Sequence, residues 1–249
     1  MSKPGAERLQ EMLERNHGIA ARAQAADFPL AEFDLLQQWQ RARLSRSFAD
    51  FARQEGYRRA VYFFLSELYG GLDFRQRDQD MGKVMPVMIR FLPDHTLATM
   101  SEAFELQAIS LEYDMDMARH MARRRPVRQD MGRKDMGTQD IGSLDMERYC
   151  ELYRACSDRA GRERQIVLIR KLGYDLDALV RLPLVNSLVR LLRGPAHLAG
   201  FGKLQQFLEE GLAAFRALPD AGFFIEAIYQ RETDAVQKMF AGARQPFGF

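Results

Sequence analysis

Four histidines, two cysteines and 34 aspartates and glutamates are the groups in this sequence that could hold a metal or act on a substrate. Glu14 and His17 make an E-x-x-H pair, the spacing that puts both side chains on one helical face and that, used twice, builds di-iron centres in helical bundles. The sequence holds no second E-x-x-H, so the pair reads as an exposed contact on the first helix. Asp116 and His120 stand four apart, able to share a metal but more often an ordinary surface contact one turn apart. Cys150 and Cys156, six apart, can form neither a disulfide framework nor a four-ligand zinc site, and neither has a histidine near it in sequence. The sequence has neither a G-x-S-x-G elbow nor a G-x-x-x-x-G-K phosphate loop, so hydrolase and nucleotidyl chemistry find no foothold.

His197 lies in the Gly-rich stretch GPAHLAGFG, which together with His17 in an early helix gives a superficial likeness to haem oxygenase; the separation between the two features is too long for a match. His17, His120 and His197 are therefore the metal or haem candidates, with the cofactor itself unassigned. A second set comes from charges embedded in apolar motifs, which must find partners or shift their pKa values. These are Glu67, Asp78, Glu105, Arg164 and Glu232. They could converge as an ion-pair network that fixes helix register, the preferred reading, or as the wall of a ligand pocket.

The elements that must position these groups are helices. Leu, Ala, Met, Gln, Glu and Arg dominate, and apolar spacing with stop signals marks nine or ten helical segments. The first runs from Pro4 to Ala25 and is weakly apolar, an arm over residues 1–28. From Pro29 to Gly56 a stripe of Phe33, Leu36, Trp39, Leu44, Phe48 and Phe51 predicts one long amphipathic helix. Residues Tyr57 to Tyr69 are apolar nearly all round, ended by Gly70 and Gly71. A short helix begins or kinks at Pro86, and Asp94 is the expected N-cap of the longest helix, a central beam reaching Arg124.

Beyond it, Asp130, Asp135, Asp140 and Asp145 recur every five residues, each followed by Met or Ile, a period that fits neither helix nor strand. Residues 125–145 read as a loop insertion of tandem origin, because calcium loops space their oxygen ligands two apart. Ser143 is the expected cap of the next helix, and helices continue through Arg162, Pro183 and Pro195 to Phe240. The tail, residues 242–249, is apolar and open to three fates: disorder, packing on its own domain, or docking on a partner chain. The fold class expected is all-α, a single domain over residues 1–249 with one long central helix.

Composition limits the partners. Thirty-six Lys and Arg against 34 Asp and Glu leave a net charge of +2, so no global field draws the chain to nucleic acid. No run of eighteen apolar residues predicts a membrane span, the N-terminal residues have no secretory h-region, and sparse cysteine suits the cytoplasm.

FFLSELYG at Phe63 to Gly70, DFRQRD at Asp73 to Asp78, RERQI at Arg162 to Ile166, RGPAHLAG at Arg193 to Gly200 and FLEEGLAAF at Phe207 to Phe215 carry a resemblance. Together with the WQ of Trp39 and Gln40, they resemble an uncharacterised bacterial family with an FFLxELYG signature, over Leu35 to Glu232. The resemblance implies an all-helical intracellular protein and no assigned activity; the Asp-Met-Gly insertion departs from the family's pattern. The expectation is a non-enzymatic helical binding or scaffold module that acts through a protein partner or a bound ligand. The alternatives are a binding protein for tetrapyrroles or other small apolar ligands, haem-oxygenase-like, and a metal-dependent helical enzyme. Oligomeric state stays open.

Overall fold

The computed structural model describes residues 3–65, 85, 89–90, 92–124, 144–182 and 202–249. Among the described residues there are nine helices and no strand, an all-α single-domain bundle. In chain order they are α1 (Pro4–Ala23), α2 (Leu30–Ser47), α3 (Ala49–Arg53), α4 (Glu55–Phe63) and α5 (Asp94–Arg123). They continue as α6 (Met146–Ala155), α7 (Arg159–Val180), α8 (Gly202–Arg216) and α9 (Ala221–Phe240). None of the described helices is long and apolar enough to cross a membrane.

The 30-residue α5 is the beam the sequence predicted, and α1, α2, α6 and α7 all lie against it. Its burial is therefore not a single stripe: Leu97, Phe104, Ala108, Asp114, Met115, Met117 and Met121 are covered from different sides. The segment expected as an arm is packed. Leu9, Leu13 and Ile19 of α1 are buried against Leu97, Phe104, Ala108 and Met115 of α5. Each such side chain contributes about 1.5–3 kcal/mol when taken fully out of water.

Close approach of α1 and α5 depends on Gly5. Its N–H donates to Asp94 Oδ1 at 2.9 Å, so Asp94 caps α1 and not its own helix. A Cβ on Gly5 would stand 2.5 Å from the Asp94 carbonyl oxygen and 2.9 Å from Ala98 N, both backbone atoms that cannot swing aside. Gly5→Ala is expected to force the helices apart and cost about 1–3 kcal/mol, read as a lower urea midpoint with an unchanged slope.

Two further expectations are corrected. The long helix predicted from Pro29 to Gly56 breaks at Phe48, whose φ of −118° and ψ of 21° leave the helical region and let Phe48 and Phe51 turn inward to Tyr57 and Phe224. Arg231 of α9 makes up for the break: it donates to Ser47 O at 2.6 Å and grips both Asp50 carboxylate oxygens at 2.8 and 2.7 Å. The cap of α6 is Asp145, the last aspartate of the five-residue repeat, which accepts from Arg148 N at 2.8 Å. Ser143, Gly70, Gly71, Pro86, Pro183, Pro195 and the repeat from 125 to 143 lie outside the described residues.

Of the three fates open to the tail, the structure has it folded on its own domain. Gly242, at φ +82°, takes the left-handed conformation that ends α9, and Ala243 N closes back on Lys238 O at 2.9 Å. Pro246 is buried, and Phe247 packs against the cluster of Leu36, Tyr149, Met239 and their neighbours.

Candidate functional site

The central cluster, where α2, α5, α6, α7 and α9 meet, is apolar except for a column of polar side chains through its middle. Gln37 and Gln40, less than a turn apart on α2, both point at α5. Their amides donate to the two carboxylate oxygens of Asp114, at 2.6 Å to Oδ2 and 2.8 Å to Oδ1. Burial pushes the Asp114 carboxyl above the usual carboxylate range, while the Gln40 donor, the Arg162 charge and the Gln37 donor pull the other way. Desolvation wins.

Arg162 of α7 is 4% exposed and lies between two phenol rings, 4.1 Å from the Tyr113 centroid and 4.0 Å from that of Tyr153. Its edge donates to Ser157 Oγ at 3.0 Å, Gln165 Oε1 at 3.1 Å and Met117 Sδ at 3.6 Å. Tyr149 and Tyr153, one turn apart on α6, are kept as neutral phenols because burial raises both. One turn beyond Gln40, Arg43 pairs with Glu232 of α9 and stands 4.6 Å from the Phe247 ring centroid. Trp39 stacks on Tyr149 with centroids 3.9 Å apart, and Phe247 rests against both rings at 6.2 and 6.3 Å.

Five helices and the tail are thus tied at one polar column. Chemically it holds an acid and phenols biased to their neutral forms and two guanidinium groups, each already engaged by a partner.

Of the residues singled out from sequence, Glu105 is buried and accepts from Arg8 at 2.8 Å and from Arg164. Arg164 itself is 64% exposed, so this pair belongs to the α1, α5 and α7 surface and not to the centre. Glu232 is in the central column through Arg43, and the structure does not bring it to Glu105. Glu67, Asp78 and His197 lie outside the described residues.

His17 and Glu14 are exposed on α1. Asp116 pairs with Arg119 at 3.3 Å instead of His120. His120 is held below the usual imidazole range by burial and then by Arg124 and Arg123. Among the described residues, no three His, Cys, Asp or Glu side chains gather closely enough to hold a metal ion. Burial raises both thiols, leaving Cys150 and Cys156 weak nucleophiles at neutral pH.

Sequence reasoning passed over Gln37, Asp114, Tyr149 and Tyr153, and took Gln40 and Arg162 only as parts of motifs. A signal existed for Arg162: it lies four residues before Ile166, the buried isoleucine of RERQI, whereas Arg164 is on the opposite side of the same helix. Asp114 carried a weaker one, three residues before Met117 on a helix buried from several sides.

An all-α bundle locked by a buried Gln, Asp, Arg and Tyr column is the class that fold and site define. The chain belongs to the family described as Domain of unknown function (DUF8198), which matches residues 20–246 and so takes in every member of the column. No curated protein and no solved structure matches it.

Proposed function

We propose that this chain is a non-enzymatic helical binding module that engages a partner protein through the face formed by α7 and α9. The observation that carries the reading is that large side chains of these two helices remain open to water beside one another. Tyr174 on α7 is 41% exposed, and Phe223 on α9 is 58% exposed. Between them Glu226, one turn along α9 from Phe223, accepts from the Tyr174 hydroxyl at 2.7 Å and from Arg170 at 2.6 Å. Val167, two turns before Tyr174, extends the line at 53% exposure.

Tyr174, already fixed by its hydrogen bond to Glu226, loses little freedom on binding, which suits it to be an anchor. The central column supports the same reading from the other side, because Arg43 is paired with Glu232, Asp114 is held by Gln37 and Gln40, and Arg162 is held by Ser157, Gln165 and two phenol rings. The test is capture from lysate of a native-type host with wild-type protein and with the double variant Tyr174→Ala, Phe223→Ala, quantified by mass spectrometry. A partner retained by the wild type should fall by about tenfold or more in the variant. Equal recovery of every captured protein by the two would overturn the α7–α9 assignment.

A further inference from the structure

We propose that the surface built by Trp39 and Arg43 of α2 and Tyr149 of α6 is a docking site for an extended segment carrying proline followed by phenylalanine, and that residues 246–249 are its built-in occupant. The argument begins with what holds the tail. Among the described residues, no backbone–backbone hydrogen bond ties 245–249 to the helices, and the last such bond of the chain is Ala243 N to Lys238 O. The ion pair of Arg244 with Glu147 is 3.7 Å long, with both side chains mostly exposed. What remains is side-chain recognition. Pro246 is buried, and Phe247 sits under the Arg43 guanidinium and beside the Trp39 and Tyr149 rings. Phe249 stacks on Phe247 with centroids 6.1 Å apart and meets Arg46 at 5.8 Å.

A surface that recognises a segment by pockets and stacking, without a backbone ladder, holds a replaceable ligand. Its parts also have contacts of their own besides the tail. Arg43 is fixed by Glu232, and Tyr149 is 1% exposed and stacked on Trp39. The cationic face and the two aromatic edges select a ring; the buried Pro246 selects a residue with no N–H to desolvate. The partner chemistry is therefore that of the tail itself, a Pro-Phe segment supplied in trans, competing with a tethered copy whose effective concentration is on the order of millimolar. This surface is separate from the α7–α9 face, and the two assignments can fail independently.

Trp39 is the only tryptophan in the sequence, so its fluorescence reports this site alone. The experiment compares full-length wild type with F247A, adding a synthetic peptide of residues 243–249. F247A should shift Trp39 emission to the red, and the peptide should return it along a saturable curve. The same peptide with alanine in place of its first phenylalanine should not. Wild type should need at least about tenfold more peptide for any response, because the tethered tail competes. An F247A spectrum identical to wild type would overturn the proposal, as would a red-shifted spectrum that millimolar peptide leaves unchanged. If circular dichroism shows F247A unfolded, F247L takes its place with the same two criteria.

Discussion

Arg162→Ala is expected to lower folding stability by about 3–5 kcal/mol, the loss of a large buried side chain together with its hydrogen bonds. For a domain of this length that is a fall in thermal midpoint of roughly 10 °C. The guanidinium fills the gap between Tyr113 and Tyr153 and satisfies Ser157, Gln165 and Met117 from its edge, so truncation empties a space and leaves the Ser157 and Gln165 oxygens short of a donor. A desolvated cation over an aromatic face contributes about 2 kcal/mol, and here two faces share one cation. Arg162→Lys keeps the charge but not the planar fork, and should lose part of the stability. Arg162→Met keeps much of the volume and none of the charge. If calorimetry places Met within about 1 kcal/mol of wild type, the guanidinium is filler and the column is not a lock.

Arg162 also shows why the centre of the site was hard to read in sequence. The motif RERQI offers two arginines two residues apart, and only helical phase separates them. Arg162 shares a face with Ile166 and is buried; Arg164 does not and is 64% exposed. Phase needs an anchor, and the one apolar residue of the motif supplies it. Gln37 and Gln40 had no comparable anchor, because polar residues beside Trp39 on an amphipathic helix look the same whether they meet water or a partner carboxylate. The partner is 74 residues from Gln40 in sequence, a distance no local pattern spans. Glu232 was singled out as a charge in an apolar setting, but its partner, Arg43, is 189 residues away.

The fold was more legible, since helical periodicity is a local property. α5, α7 and α9 follow from apolar spacing, and Asp158 and Asp220 cap α7 and α9 by accepting from Gly161 N at 2.7 Å and Phe223 N at 2.8 Å. What escaped was set by contacts between helices. No proline or glycine stands at the break at Phe48; it is stabilised by Arg231 from the far end of the chain. Asp94 looks like the cap of the helix it begins, yet its carboxylate turns to the N-terminus of α1, which Gly5 lets approach.

Asp114 gives a prediction whose sign separates a strained acid from a stabilised one. Removing it by Asp114→Ala leaves the buried Gln37 and Gln40 amides without their acceptor, and at about 1–3 kcal/mol for each such donor the loss should be about 2–6 kcal/mol. Asp114→Asn keeps the shape and removes the titration. Burial raises the carboxyl in the folded protein above its unfolded value of about 3.9, so the folded state holds that proton more tightly than the unfolded chain. The stability gained this way is fully present below the unfolded pKa and is lost as pH rises through the folded one. The difference between wild type and Asp114→Asn, measured by urea unfolding from pH 4 upward at steps of about one unit, should therefore move against the wild type. Asp50 supplies the opposite sign, since its hydrogen bonds with Arg231 hold its carboxyl below the usual range. Its contribution is present above the unfolded pKa and fades on acidification, and it is small because the pair is partly exposed. A wild-type advantage over Asp114→Asn that grows with pH would mean that Gln37, Gln40 and Arg162 outweigh desolvation, and that the column is built around an anion.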